Sequence, residues 1–146
     1  NRCADLGQAI VLALVDGALQ AEPAYPEIIE VVDADGGTID ISFQYAPGRE
    51  RNGPGAAHEA RIYWNAGSGD VSYTTPYATV AMDNPTLTET YSYTTPALTH
   101  GTTYTFVIRI ATAAHPDGIE TANTDEHSAT ADTTVPAAPT LTVQRH

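Results

Sequence analysis

Seven short β-rich runs, set at regular intervals between Pro, Gly, Asn and Asp, predict an all-β fold: a seven-stranded antiparallel Greek-key sandwich. Two further observations point the same way. In Leu98–Ala111, a Gly-containing turn separates Leu98 from Tyr104 six residues on, and Tyr104, Phe106, Ile108 and Ile110 then share one face of a strand. That spacing lets the Tyr ring enter the core while its hydroxyl bonds back to the preceding turn, a tyrosine corner. Hydrophobic residues make up 42% of the chain, enough for a core, and 146 residues hold one sandwich of about 100 with roughly 40 to spare.

The organisation is therefore an arm over 1–20, a sandwich over 21–135 and a connector over 136–146. In the arm, Asp5 suits an N-cap with Gln8 three residues on, Leu6, Ile10 and Leu14 follow at helical spacing, and Gly17 stops the run. Val11, Leu12 and Val15 suit an extended arm equally well, so the segment is a short helix or an extended arm. Its apolar side chains need cover, since burying four or five of them is worth roughly 8 kcal/mol before entropy is subtracted. Two covers are open: one end of its own sandwich, or a neighbouring subunit into which the arm docks.

Pro26–Val32 is the first strand, ended by Asp33-Ala34-Asp35-Gly36-Gly37, where glycine supplies the positive φ of a tight turn. Thr38–Tyr45 is the second, with Ile39, Ile41, Phe43 and Tyr45 inward and Asp40, Ser42 and Gln44 outward. Glu59–Asn65 is the third, its Ala60, Ile62 and Trp64 alternating with Glu59, Arg61 and Tyr63. Burial of Trp64, the only tryptophan, is worth on the order of 3 kcal/mol. Tyr77–Met82 and Glu89–Thr95 follow, the latter with Tyr91 and Tyr93 on one face. Thr103–Thr112 and Thr121–Asp132 complete the set. In the connector, Pro136 and Pro139 favour an extended path, and Thr140–Val143 alternate like the opening of a strand.

Charge narrows the partners. Eighteen carboxylates face six arginines and no lysine, a net charge of -12, which repels phosphate backbones and anionic membrane surfaces. Nucleic acid is thereby excluded as a partner, and the absence of an apolar run of about 18 residues argues against membrane insertion. Cys3 is the only cysteine, so no internal disulfide forms and packing alone must hold the sandwich.

Reactive constellations are not legible. His58, His100, His115, His127 and His146 lack metal-ligand spacing, so no metal and no cofactor is expected. Asp33-Ala34-Asp35-Gly36 shares alternate carboxylates with the start of a calcium loop but lacks the later ligands, and reads as an Asp/Gly turn. The serines carry no strained-turn glycine signature, and Asp125 and Glu126 point to opposite faces of a regular strand. No catalytic residue is assigned and no enzymatic activity is expected. Arg49 and Arg51, on the long loop 46–58, form a small basic spot on an acidic body and are candidates for contacting a partner carboxylate.

The corner Leu98 to Tyr104, the strand through Phe106 and Ile108, and the tail from Gly118 through Ala131-Asp132-Thr133-Thr134-Val135-Pro136 resemble the fibronectin type III family over about Pro26 to Pro139. The family commonly has Trp in the second strand and Pro in the corner turn; Phe43 and His100 stand there in this chain. The resemblance implies a non-enzymatic fold used for display, spacing and docking. It carries no Arg-Gly-Asp tripeptide, the integrin signal of some relatives. Short acidic modules of this kind resemble accessory proteins on bacteriophage particles and pieces of bacterial surface proteins. The expectation is a virion or extracellular structural module in a homo- or hetero-oligomeric protein assembly, docked through Leu6, Ile10 and Leu14. The alternative is an adhesion module that binds carbohydrate or protein through an exposed row of Tyr73, Tyr77, Tyr91 and Tyr93.

Overall fold

The computed structural model of the chain describes residues 23–47, 57–83, 85–134 and 144. The arm with Leu6, Ile10 and Leu14, the pair Arg49 and Arg51, and the connector other than Gln144 lie outside the described residues.

The described residues are all-β, with no α-helix among them: seven strands in two antiparallel sheets. The strands are β1 (Glu27–Ala34), β2 (Thr38–Tyr45), β3 (Glu59–Trp64), β4 (Ala78–Ala81), β5 (Glu89–Thr94), β6 (Thr103–Ala111) and β7 (His127–Thr130). One sheet has the order β1-β2-β5 and the other β4-β3-β6-β7.

Period-two alternation explains the core. Ile39, Ile41 and Phe43 of β2 share one buried cluster with Ile62 of β3 and Phe106 and Ile108 of β6, so the inner faces of the two sheets pack on each other. Trp64 is half-buried at the margin of that core. Its ring lies 3.8 Å from that of Tyr77 and 5.6 Å from that of Tyr104. The Tyr104 hydroxyl accepts the Thr99 N–H at 3.2 Å, and Leu98 packs against the same cluster. The ring thus pins the turn that leads into its own strand.

Two strands depart from the sequence reading by more than one residue at an end. β1 runs on to Ala34, because Asp33 and Ala34 pair with Ile39 and Thr38. The turn is then completed within a short 3-10 segment, Asp35–Gly37, in which Gly36 and Gly37 have φ of 75° and 81°. A Cβ on Gly37 would lie 2.7 Å from Thr133 Cγ2, so both conformation and space require glycine there. The predicted strand Thr121–Asp132 is corrected to a four-residue β7. Over 121–126 no regular ladder forms: the Thr121 N–H donates to the Ile110 carbonyl at 2.9 Å, and side chains add to it, Thr121 Oγ1 accepting the Ile110 N–H at 3.1 Å and Asn123 Nδ2 donating to the Ile108 carbonyl at 2.7 Å.

Candidate functional site

The outer face of the four-stranded sheet is the most chemically unusual part of the molecule. Glu59, Arg61 and Tyr63 point away from the core on β3, yet they are only 3–5% exposed. Val107, Arg109 and Ala111 of β6 stand opposite them in register, with Arg61 directly across from Arg109. Two guanidinium groups side by side on neighbouring strands repel each other, so this pairing needs a shared anion.

Glu120 supplies it. Beyond β6 the chain makes an excursion and returns, with Thr112 donating to the Ile119 carbonyl at 2.9 Å and Thr121 to that of Ile110 at 2.9 Å. The return brings Glu120 opposite Ala111 and over the two arginines. Arg61 Nη1 donates to Glu120 Oε2 and Arg109 Nη1 to Oε1, each at 3.1 Å, and the Tyr63 hydroxyl donates to Oε2 at 2.7 Å. Arg61 Nη2 also donates to the carbonyls of Ala113 and Asp117, and Arg61 Nε lies 3.5 Å from Glu59 Oε2. Glu59 Oε1 accepts the His115 N–H at 2.7 Å.

Arg109 is held from three sides. Its Nε donates to the Asn123 carbonyl at 2.9 Å, and its guanidinium sits 3.9 Å from the centre of the Tyr73 ring. Tyr63, Val71, Val107 and Tyr73 form a small apolar cluster around it. The loop 112–126 is thus fastened to the sheet by side chains of β3 and β6, while His115, Pro116, Asp117 and Ile119 at its crest stay exposed.

The electrostatics match the geometry. Burial pushes the Glu120 carboxyl up, but the Tyr63 hydroxyl, Arg109 and Arg61 together outweigh it and hold the group below its ordinary 4.5. Burial first, and Glu120 second, push the Tyr63 phenol up to about 12. Both shifts move a titrating group away from neutrality, the reverse of what a general acid or base needs.

The remaining sequence candidates are scattered. His58 is exposed just before β3, and His127 lies on β7, in register with Phe106. His100 Nδ1 accepts the Thr133 N–H at 3.1 Å in the corner turn. Asp33 spends an oxygen on the Asp132 N–H at 2.8 Å, tying the β1–β2 turn to the end of β7. Among the described residues no group of three or more His, Cys, Asp or Glu could hold a metal ion, and no helix is long and apolar enough to cross a membrane.

The tyrosines do not form an exposed row. Tyr77, Tyr91 and Tyr93 pack against the main core, Tyr77 edge-on to Tyr93 at 6.1 Å and Tyr91 stacked on Phe43 at 5.6 Å. Tyr73 is occupied by Arg109 and Tyr63. Reading residues alone did not find the Arg61–Arg109–Glu120 cluster. The signal that points to it is the run Phe-Val-Ile-Arg-Ile-Ala in β6, nearly continuous in apolar residues, as a strand covered on both faces should be. No protein-family model and no curated protein matches the chain.

Proposed function

We propose that the chain is a non-enzymatic interaction module, a fibronectin type III-like Greek-key sandwich that builds or decorates a larger protein assembly on a virion or outside the cell. The observation that carries this is the fastened loop 112–126. Its backbone is already fixed by Glu59, Arg61 and Glu120, and its crest from His115 to Ile119 faces outward. A loop ordered in advance spares a partner the cost of ordering it on binding.

The fold reading has its own support. The fourth strand lies beside β3 rather than beside β5, unlike the constant-type immunoglobulin arrangement, in which it joins the other sheet. The Tyr104–Thr99 bond adds the corner that the resemblance implies.

Charge describes the partner. Arg61 and Arg109, the two arginines among the described residues, are drawn into the cluster, so the exposed charge of the described surface is carboxylate, histidines aside. A partner with basic side chains fits that surface, and docking through the arm over 1–20 adds an apolar contact. Light scattering on the full chain and on a variant with Leu6, Ile10 and Leu14 all changed to Ser tests the arm. The parent should self-associate and the variant should not; equal monomeric masses for both would refute docking through the arm.

A further inference from the structure

We propose that Glu120 is an acid-sensitive latch whose protonation releases the loop 112–124 from the outer face of the four-stranded sheet while the two-sheet body stays folded. This goes beyond the interaction reading and does not depend on it, because loop opening and subunit docking are measured separately.

The placement of charges carries the inference. Arg61 and Arg109 are cross-strand neighbours of like charge, and Glu120 is the carboxylate that takes a hydrogen bond from each. Glu120 belongs to the loop, whereas both arginines belong to the sheet, so these bonds fasten the loop, alongside those of Arg61 to the Ala113 and Asp117 carbonyls, of Arg109 to the Asn123 carbonyl and of the His115 N–H to Glu59. A neutral carboxyl accepts from guanidinium far more weakly than an anion does, and it no longer offsets the repulsion between the two arginines.

Every charged or titrating neighbour fits this account. From β3, Glu120 faces Arg61 and Tyr63, and Glu59 lies behind Arg61 at its Nε. From β6 it faces Arg109, beneath which Tyr73 is stacked. From the loop, His115 and Asp117 contribute main-chain groups, an N–H to Glu59 and a carbonyl to Arg61. The local fields hold the Glu120 carboxyl below 4.5, so the latch is closed at neutral pH and opens only in acid. The body's buried cluster, built from Ile39, Phe43, Ile62, Phe106 and neighbours, has no group that gains or loses a proton in acid, and the carboxylates that tie its ends, Asp33 to the Asp132 N–H and Asp132 to Thr134, lie at the surface. Opening is therefore local.

Hydrogen exchange of the full chain, read by mass spectrometry, tests the latch. At neutral pH, Glu120→Gln should raise exchange over 112–124 by about tenfold or more, the scale of one lost charged hydrogen bond. Protection in β2 and the inner positions of β6 should be unchanged. The parent protein should show the same pattern below the carboxylate range, after correction for the pH dependence of intrinsic exchange. Glu59→Gln leaves both bonds to Glu120 in place and should open the loop less. An unchanged loop in Glu120→Gln, an effect of Glu59→Gln equal to or larger than that of Glu120→Gln, or loss of protection in β2 in step with the loop would each overturn the proposal.

Discussion

The outer faces of the two sheets solve the same problem in opposite ways. On the three-stranded sheet, Asp40, Ser42 and Gln44 of β2 stand opposite Thr94, Ser92 and Thr90 of β5 and are left to water, with Thr94 Oγ1 donating to Asp40 Oδ1 at 2.6 Å. Small polar groups at the surface need no cover, so none is provided. On the four-stranded sheet, Glu59, Arg61 and Arg109 are covered by a loop that brings the compensating charge and carbonyls with it. Polar residues on an outward face therefore do not by themselves mark a solvated surface. What decides is whether a third element carries partners to them.

The largest expected effect separates the two faces by substitution. Arg61→Ala leaves Glu59 buried and Glu120 one partner short, and should cost about 3–5 kcal/mol. Ser92→Ala on the bare face should stay within about 0.5 kcal/mol. Urea midpoints of the two variants at neutral pH check the contrast, and equal shifts would erase the distinction drawn between the faces.

Next is the pH dependence of the covered face. Glu120 is held below its ordinary 4.5, so its contribution is fully present above that value and is lost as pH falls through the lower value held in the fold. The stability gap between the parent and Glu120→Gln should accordingly be constant near neutrality and close in acid. Tyr63 runs the other way. Its folded value of about 12 exceeds the ordinary 10.0, so its contribution is present below pH 10.0 and is lost as pH rises through about 12. Stability measured from neutral to alkaline pH should fall less steeply in Tyr63→Phe than in the parent.

A smaller effect belongs to the corner turn that leads into β6. Tyr104→Phe removes the acceptor of the Thr99 N–H and should lower stability by about 1 kcal/mol, measured by thermal or urea unfolding. An unchanged midpoint would mean that the ring, and not its hydroxyl, holds the corner.

The inner faces were legible because their signal is local. Ile39, Ile41, Phe43 and Tyr45 alternate along one strand, and all four are buried. The covered outer face was not, because Glu120 meets Arg61 across 59 residues of sequence and nothing near either announces the other. Glu59-Ala-Arg61-Ile-Tyr63 has the alternation of a strand with one wet face, and only the excursion after β6 makes that face dry. The last strand misled for a related reason: Thr121 and Asn123 have strand-like spacing, but no regular ladder forms there; the Thr121 N–H bonds to the Ile110 carbonyl, and their side chains complete the edge of β6.

The smallest effect lies on the uncovered side of the molecule, at its edge. Ile28 in β1 is 69% exposed and has a φ of 46°, a left-handed conformation that a β-branched residue adopts only under strain. The pairing of β1 with β2 shifts register between Glu27 and Glu30, so Ile28 sits in a bulge, a feature that interrupts an open sheet edge and discourages pairing with another chain. An exposed side chain gives up little burial when it is replaced, and Asn tolerates the left-handed region better. Ile28→Asn should therefore raise stability by about 0.5 kcal/mol while leaving the bulge in place. A lower urea midpoint for this variant would show that Ile28 is held by contacts worth more than its strain, and the open edge would then be more like the covered face than its exposure suggests.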